Sequence, residues 1–350
     1  MEESVMSVHQ HGGDIYTTSY RLDFSVNLNP LGMPDSVADA ACAGVRLSTN
    51  YPDVRCQELR SALAQKEGVP AEYIVFGNGA AELIFSQVSA QKPKKALLAA
   101  PGFAEYEQAL SVHDCEIVYY FLKEENGFQI GSDYLDYLKE DIDIIFLCNP
   151  NNPTGVQIER KLLEQILAVC EKRGIRMVLD VCFMDFLDCP QETDFSPALS
   201  KNPHLFLLKA FTKTYAMAGL RLGYGLCSDR EFMERMEQMC QPWNVSIPAQ
   251  KAGVAALGET QYVEQAREII KQERAWLADQ LRTLGFQVYD SAANFLFFKG
   301  DEQLAKRCGD QGILIRDCSN YQGLERGYYR IAVLTHEANQ ELIQTLKTLI

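Results

Sequence analysis

The sequence predicts an α/β protein in which a mainly parallel, seven-stranded sheet with helices on both faces is joined to a smaller α+β domain. Between about residues 70 and 230, short β-rich runs alternate with helix-like stretches, which is typical of parallel strands joined by crossover helices. After Pro242 the pattern changes to one long, charged helix followed by three strand-like runs. These two patterns indicate a large sheet domain followed by a second, smaller one.

Seven runs are predicted as strands of the large sheet: 73–76, 96–100, 116–121, 143–148, 176–180, 205–208 and 222–226. Between the fourth and fifth runs, residues 159–173 place five apolar side chains on one helical face, and Gly174 then ends the pattern. This segment is therefore predicted as a crossover helix.

The C-terminal part is predicted to contain a helix at 261–284 and strands at 295–299, 313–316 and 328–333. The segment before residue 50 has no clear period and is rich in asparagine, proline and glycine, which indicates an arm crossing the surface. We therefore expect three parts. Residues 1–50 would be an arm that contributes to the small domain and to a dimer or substrate site, 51–245 the large domain, and 246–350 the long helix with the small domain.

The composition limits the class of function. A formal net charge of -14 among 350 residues argues against nucleic-acid binding. The first ten residues lack the pattern of a signal peptide, and no apolar run is long enough to span a bilayer, so we expect a cytoplasmic protein without a membrane partner. The eleven cysteines form no CxxC pair and the five histidines are mostly far apart, which predicts reduced cysteines and no metal site.

Ligands of open α/β sheets bind beyond the carboxyl ends of the strands, so polar residues that follow the predicted strands are candidates for a site. Residues 77–84 form a glycine-bearing turn before a helix, where backbone N–H groups could hold an anion. Such a turn is structural more often than functional. Phe103, directly after another strand, could stack on a flat ring or could equally be a core residue.

Two further strand ends carry polar side chains. Residues 149–155 contain three asparagines in a turn made rigid by two prolines and a glycine, which would aim an amide at a ligand. Asp180 closes an apolar run, where a carboxylate is costly unless it meets a cation such as a protonated pyridine nitrogen. A helix cap or a buried ion pair is the alternative for Asp180.

Lys213 lies just past a predicted strand, where an amine can lose its proton and form an imine with a carbonyl group. Arg221, eight residues later, could bind a phosphate through two hydrogen bonds. Lysine and arginine are by default solvated surface residues, but the apolar and glycine neighbours in 208–225 argue against full exposure here.

Taken in this order, the segments resemble the fold-type I pyridoxal-phosphate (PLP) enzymes of the class I/II aminotransferase family over nearly the whole chain. The turn at 151–155 and the segment 211–223 make the resemblance specific. It implies PLP as cofactor and a homodimer, with Lys213 and Asp180 as the catalytic residues. The implied cofactor contacts are Lys213 as Schiff-base lysine, Asp180 at the ring nitrogen, Asn152 at the phenolic oxygen, Phe103 on the ring, Thr212 beside the lysine, and Gly79, Ala80, Ala81, Arg221 and, across the dimer interface, Tyr51 at the phosphate.

The terminal segments 11–32 and 314–321 resemble the threonine-phosphate decarboxylases, which are related to the histidinol-phosphate aminotransferases. This resemblance implies a small amino acid or amino acid phosphate as substrate. The implied substrate contacts are His11, Asn29, Asn152, Arg316 and Arg330. Without the resemblance, His11 would be interpreted as a disordered tail residue.

Three functions are compatible with these residues. The first is decarboxylation of a phosphorylated amino acid, giving an aminopropanol phosphate for cobalamin biosynthesis. The second is transamination of the histidinol-phosphate type, with 2-oxoglutarate as amino acceptor. The third, a PLP-sensing regulator, is disfavoured because the first fifty residues contain no helix-turn-helix pattern and the net charge is acidic.

Four positions depart from the family pattern. Ala210 stands where relatives carry a hydroxyl for the cofactor phosphate, and the loss of that bond would weaken binding by roughly 1–3 kcal/mol. Phe183 cannot donate to the phenolic oxygen as a tyrosine would. Leu334 and His336 replace arginines found in many relatives. We expect these changes to leave PLP binding intact and to bear on the choice of substrate.

Overall fold

The computed structural model describes residues 11–16 and 20–350. Residues 1–10 and 17–19 of the predicted arm lie outside the described residues. The helices are α1 Asp35–Arg46, α2 Gln57–Glu67, α3 Gly79–Gln91, α4 Ala104–Ser111, α5 Arg160–Arg173, α6 Phe211–Thr214, α7 Arg230–Met239, α8 Ile247–Ala256, α9 Thr260–Thr283, α10 Leu304–Asp310 and α11 His336–Leu349. The strands are β1 Leu22–Asp23, β2 Ile74–Gly77, β3 Lys95–Ala100, β4 Glu116–Phe121, β5 Ile144–Cys148, β6 Arg176–Asp180, β7 Leu205–Ala210, β8 Gly223–Leu226, β9 Gln287–Val288, β10 Phe295–Lys299, β11 Ile313–Leu314, β12 Arg316–Asp317 and β13 Tyr328–Ala332.

Seven of the described strands form the large sheet, in the order β2-β8-β7-β6-β5-β3-β4. Neighbouring strands are parallel except at β8, which runs antiparallel to both β2 and β7. Every residue of β5, β6 and β7 is buried. Strands covered by helices on both faces need apolar side chains on both faces, which explains their continuous apolar sequences. The predicted fold class is confirmed.

The predicted crossover helix is α5, which connects β5 to β6. Its buried side chains are the five that share one helical face in the sequence: Leu162, Leu163, Ile166, Leu167 and Cys170. Gly174 follows with a φ of 69°, a left-handed conformation that glycine adopts without steric cost. The helix therefore begins within one residue of the predicted start and ends where predicted.

The smaller sheet has the order β12-β13-β10-β9, and its described neighbours are all antiparallel. Side chains of α9 and α11, such as Leu277 and Leu342, share a buried cluster with Phe298 of β10. The prediction of one strand at 313–316 is wrong. The chain instead forms β11, which pairs in parallel with β1, and then β12, which pairs with β13. A strand pattern shows that residues alternate, but it does not show which partner they pair with.

The predicted arm contains a helix that the sequence pattern did not indicate. The buried residues of α1 are Val37, Ala41 and Gly44, which recur at the helical spacing, although two of the three are small. A Cβ atom at Gly44 would lie 2.7 Å from the Cα of Pro248, at the start of α8. Close approach of the two helices therefore explains the small residues. The predicted domain boundaries stay a prediction.

None of the described helices combines the length and the apolar character needed to cross a membrane.

A buried ion pair joins α2 to the large sheet. Lys209 of β7 donates from Nζ to both carboxylate oxygens of Glu67, at 2.7 and 2.8 Å, and the Tyr224 hydroxyl donates to Oε1 at 2.6 Å. The side chains of Lys209 and Glu67 are only 9% and 11% exposed. Removing one partner would leave the other charge in a site with little access to water.

We expect Lys209→Met to lower the free energy of unfolding by about 3 kcal/mol, because Glu67 would keep a buried charge with only Tyr224 to stabilise it. The measurement is urea unfolding followed by circular dichroism. The matched control is Lys66→Met, an exposed lysine one residue before Glu67, which should change the value by less than about 0.5 kcal/mol. Equal effects of the two substitutions would contradict the assignment.

Candidate functional site

A cavity of about 280 Å³ lies at the carboxyl ends of β3, β5, β6 and β7. These strands are parallel neighbours, so the segments that follow them meet at one edge of the sheet. The cavity brings together most of the residues predicted from the sequence: His11, Ala80, Ala81, Phe103, Asn152, Asp180, Thr212, Lys213, Arg221, Arg316 and Arg330.

Three predicted residues do not line this cavity. Gly79 lies one residue before it, at the start of α3, and a Cβ atom there would collide with the Arg221 guanidinium. Asn29 is buried under the lysine turn, where its Nδ2 donates to the Thr214 carbonyl at 2.8 Å. Tyr51 is 78% exposed and stacks on Trp243, with ring centroids 4.6 Å apart. Tyr51 is thus outside the cavity of its own chain.

Lys213 lies in α6, a single turn that directly follows β7. The strand end directs the turn over the edge of the sheet and into the cavity. Burial lowers the pKa of Lys213 to about 8, and the nearby positive charge of Arg330 contributes to the shift. A larger fraction of neutral amine is therefore present near neutral pH than an ordinary lysine would have.

Asp180 is the last residue of β6 and is 5% exposed. The Tyr106 hydroxyl donates to Oδ2 at 2.6 Å, and the Cys182 backbone N–H donates to Oδ1 at 3.0 Å. Burial raises the pKa of Asp180, while hydrogen bonds from Cys182 and Tyr106 and the charge of Lys213 oppose that shift. A cation at this carboxylate would stabilise its ionised form further.

The start of α3 and Arg221 form a candidate anion site. Asn78 precedes the helix and makes no side-chain capping bond, so the first N–H groups of α3 lack a side-chain cap. Arg221 lines the cavity next to Ala80 and Ala81 and donates to the carbonyls of Ala218 and Asn78, at 3.2 and 3.4 Å. Both partners are neutral, which leaves the guanidinium charge available for an anion.

Arg330 joins three separate segments of the chain. It donates from Nη1 to Asn152 Oδ1 and from Nη2 to the Ser25 carbonyl at 2.8 Å. Because Asn152 accepts through Oδ1, its Nδ2 amide is oriented as a donor for a ligand. Arg316 lies directly opposite Arg330 in the β12–β13 pair and lines the same cavity. Both arginines are buried, at 7% and 6% exposure.

Several residues in or beside the cavity were not assigned from the sequence. Tyr106 does not line the cavity but supports it through its hydrogen bond to Asp180, and no pattern in the sequence indicated that contact. Tyr321 approaches Asn152 Oδ1 with its hydroxyl at 3.5 Å. Glu105 lies 3.3 Å from His11 Nε2, and neither residue carries a sequence signal for that contact. Asn27 has a buried Oδ1 without a hydrogen-bond partner among the described residues.

The residues present fit PLP. A protonated ring nitrogen would meet the Asp180 carboxylate, the phosphate would meet the start of α3 and Arg221, and the aldehyde would meet the Lys213 amine. Phe103 is placed at the cavity wall, where it could stack on the ring. Ala210 also lines the cavity and offers no hydroxyl to the phosphate, as the sequence indicated.

Comparisons with known proteins identify the family of the chain. The family model "Aminotransferase class I and II" matches residues 21–346. The threonine-phosphate decarboxylase of Salmonella typhimurium is 40% identical over 97% of this chain and 96% of its own length. The crystal structure of histidinol-phosphate aminotransferase from Clostridium acetobutylicum has a TM-score of 0.88 and 30% identity, covering 94% of this chain and 99% of that one.

A second solved structure, L-threonine-O-3-phosphate decarboxylase from Porphyromonas gingivalis, has a TM-score of 0.83 and 26% identity, with coverage of 94% and 99%. The predicted resemblance to this family is thereby confirmed, since the family model covers most of the chain and the Salmonella relative aligns over almost all of it. We conclude that this chain belongs to the class I and II aminotransferase family.

Proposed function

We propose that this protein is a PLP-dependent decarboxylase of a phosphorylated amino acid, of the threonine-phosphate type. The observation that carries the proposal is the pair of buried guanidiniums, Arg316 and Arg330, directly opposite each other on the wall of the cavity that contains Lys213 and Asp180. A substrate with a carboxylate and a phosphate has two anionic groups for this pair.

The charges around the cavity support an anionic substrate. Four basic side chains line it, Lys213, Arg221, Arg316 and Arg330, against the two acidic side chains of Glu105 and Asp180. This local excess of positive charge lies in a chain whose formal net charge is -14. The cavity would therefore concentrate small anions that the rest of the surface repels.

PLP, when bound, supplies the electron sink that accepts the electron pair released as a bond at the amino acid α-carbon breaks. Asp180 would hold the ring nitrogen protonated, and Tyr106 and Cys182 keep that carboxylate in place. Asn152 would donate to the phenolic oxygen from the amide that Arg330 orients. Lys213, Thr212, Phe103, Arg221 and the residues 79–81 complete the proposed cofactor site.

The side chains that bind the substrate would select the bond that breaks. Arg330 and Arg316 would hold the anionic groups, and His11 and Asn152 line the same cavity. Decarboxylation releases CO2 and requires one proton at the α-carbon in its place. With a pKa of about 8, Lys213 can carry a proton and release it near neutral pH. The product of threonine phosphate would be an aminopropanol phosphate, which places the reaction in cobalamin biosynthesis.

Transamination of the histidinol-phosphate type is the second candidate, supported by the similarity to the Clostridium structure. Histidinol phosphate has a single strongly anionic group and would engage one of the two arginines, whereas the amino acceptor 2-oxoglutarate has two carboxylates and would engage both. The two reactions differ in their requirement for a keto acid as amino acceptor.

We expect the holoenzyme to release CO2 from O-phospho-L-threonine without any keto acid. The measurement is CO2 release from carboxyl-labelled substrate, beside a parallel reaction with histidinol phosphate and 2-oxoglutarate in which glutamate is measured. The decarboxylase proposal fails if no CO2 is released, and glutamate formation in the parallel reaction would then favour the aminotransferase.

The lowered pKa of Lys213 has a measurable consequence. Only the neutral amine attacks an aldehyde, so the rate of PLP attachment to the apoprotein should rise about tenfold per pH unit below pH 8 and level off above it. The measurement is the rate of chromophore formation, with borohydride trapping and peptide mapping to locate the adduct. A lysine of ordinary pKa would show the rise continuing beyond pH 10, and an adduct at another residue would also refute the assignment.

We further propose a homodimer, in which Tyr51 reaches the cofactor phosphate of the partner subunit. Tyr51 and Trp243 stack on each other while 78% and 49% exposed, and Val45, Leu47 and Val54 close by in the chain are also exposed. Apolar residues grouped in this way commonly mark an interface.

The eleven cysteines are free in the described residues, which supports a cytoplasmic location, where thiols stay reduced.

Trp243→Asp should convert a dimer into a monomer and weaken PLP binding, because it places a charge in the proposed interface. Light scattering coupled to size exclusion measures the mass, and absorbance titration measures the cofactor affinity. The control is Val112→Asp, a change at a residue that is 65% exposed elsewhere on the surface. A wild-type protein that is monomeric at all accessible concentrations would rule out the interface.

A further inference from the structure

One carboxylate of the large domain binds several strands of the small sheet. Glu124 lies in a short turn after β4, at Glu124–Asn126. Its Oε2 accepts from the Tyr328 hydroxyl at 2.7 Å, and its Oε1 accepts from Gln287 Nε2 at 3.0 Å and from the Tyr289 hydroxyl. Lys299 Nζ lies 3.4 Å from Oε2. Gln287 lies in β9 and Tyr289 directly follows it, while Lys299 lies in β10 and Tyr328 in β13. One carboxylate therefore contacts three strands of the small sheet.

An aromatic contact lies beside this carboxylate. Phe128, four residues after Glu124, is 3% exposed and has a φ of 59°. Its ring packs edge-to-face against Tyr289, Phe297 and Tyr328, with centroid distances of 5.0, 5.4 and 6.1 Å. A buried aromatic side chain that contacts three others adds apolar packing to the hydrogen bonds of Glu124. We call Glu124, Phe128, Tyr289 and Tyr328 the latch cluster.

The strand register connects the latch cluster to the candidate site. In the β10–β13 pair, Tyr328 lies opposite Lys299 and Arg330 lies opposite Phe297. Directly opposed residues point to the same face of a sheet, as do residues two apart along a strand. Tyr328, Phe297 and Arg330 therefore share one face, and about 7 Å of strand separates Tyr328 from Arg330. One end of that face contacts Glu124 and the other end reaches the cavity.

We propose that Glu124 and Phe128 are positioning residues, which hold the small sheet against the large domain through Tyr328 and thereby set the position of the Arg330 guanidinium in the cavity. This inference rests on the proposed role of Arg330 in binding the substrate's anionic group. The backbone of β13 is held by hydrogen bonds on both sides, to β10 and to β12. Because the strand is held in this way, the position of Tyr328 sets the position of Arg330, two residues later. Arg330 then meets Asn152 and the Ser25 carbonyl at fixed points.

The chemistry of the latch cluster fits a permanent contact. Hydrogen bonds from Tyr289 and Tyr328 lower the pKa of Glu124, with Lys299 contributing, so the carboxylate stays ionised across the working range of pH. Ionised acceptors form stronger hydrogen bonds than neutral ones. The latch cluster includes none of the residues that line the cavity.

The test compares Glu124→Gln and Tyr328→Phe with the control Glu125→Gln, all as holoenzymes. Glu125 is the next residue, its side chain is 75% exposed, and its ion pair with Lys123 has an N–O distance of 3.8 Å. Tyr328→Phe keeps the ring and removes only the hydroxyl. It therefore tests the same contact if Glu124→Gln fails to fold.

We expect both latch variants to raise KM for O-phospho-L-threonine about 3- to 10-fold, with kcat changed less than about twofold and PLP affinity unchanged. The amides of β13 should exchange hydrogen about tenfold faster than in the control. When Arg330 is already replaced by Lys, Glu124→Gln should no longer change KM, because the guanidinium that Glu124 positions is absent. A general loss of rigidity would raise KM in both backgrounds.

The outcomes separate this inference from the proposed function. If Arg330→Lys alone raises KM but the latch variants do not, the positioning role is refuted and the proposed function stands. If Arg330→Lys has no effect on KM, the proposed substrate anchor is refuted, and the positioning role falls with it. Unchanged hydrogen exchange in β13 would refute the inference whichever reaction the protein catalyses.

Discussion

The contact between Arg330 and Asn152 is the interaction on which the candidate site depends. Arg330 comes from the small sheet and Asn152 from the turn that follows β5 of the large sheet. A second bond from the same guanidinium reaches the Ser25 carbonyl in the N-terminal segment. Three segments that are distant in sequence are thereby held around one cavity. These segments line the cavity together with the strand ends of the large sheet.

The cavity also depends on burial of charge. Burial raises the pKa of Asp180 and lowers that of Lys213, because a poorly solvated site disfavours both the carboxylate and the ammonium ion. Hydrogen bonds from Tyr106 and Cys182 partly compensate at Asp180, whereas Arg330 increases the shift at Lys213. An acidic group and a basic group with opposite shifts in one cavity are the kind of pair that catalysis uses. Burial thus favours the neutral amine of Lys213, whereas the ionised form of Asp180 depends on its hydrogen bonds and on a cation beside it.

The elements that follow from repeated local patterns were predictable. The central strands β5, β6 and β7 are buried along their whole length and are mostly apolar, and α5 shows a full apolar stripe ended by Gly174. The helix α1 was missed although its buried residues recur at the helical spacing, because Ala41 and Gly44 are small residues that allow close approach to α8 and add little apolar surface. The split of 313–317 into two strands was hidden because the apolar run Ile313–Ile315 continues to the point where the pairing partner changes from β1 to β13.

The sequence by itself determined the α/β class, the strand ends that carry Asp180 and Lys213, and the family, since each rests on local periodicity or on a short motif. Only the tertiary structure decided which side chains meet: Tyr106 with Asp180, Arg316 beside Arg330, Glu124 with the small sheet, and Tyr51 outside its own cavity. The physical reason is that these contacts join residues from separate elements. Their distances depend on how separate helices, strands and loops pack, and packing leaves no pattern in any one segment of the chain.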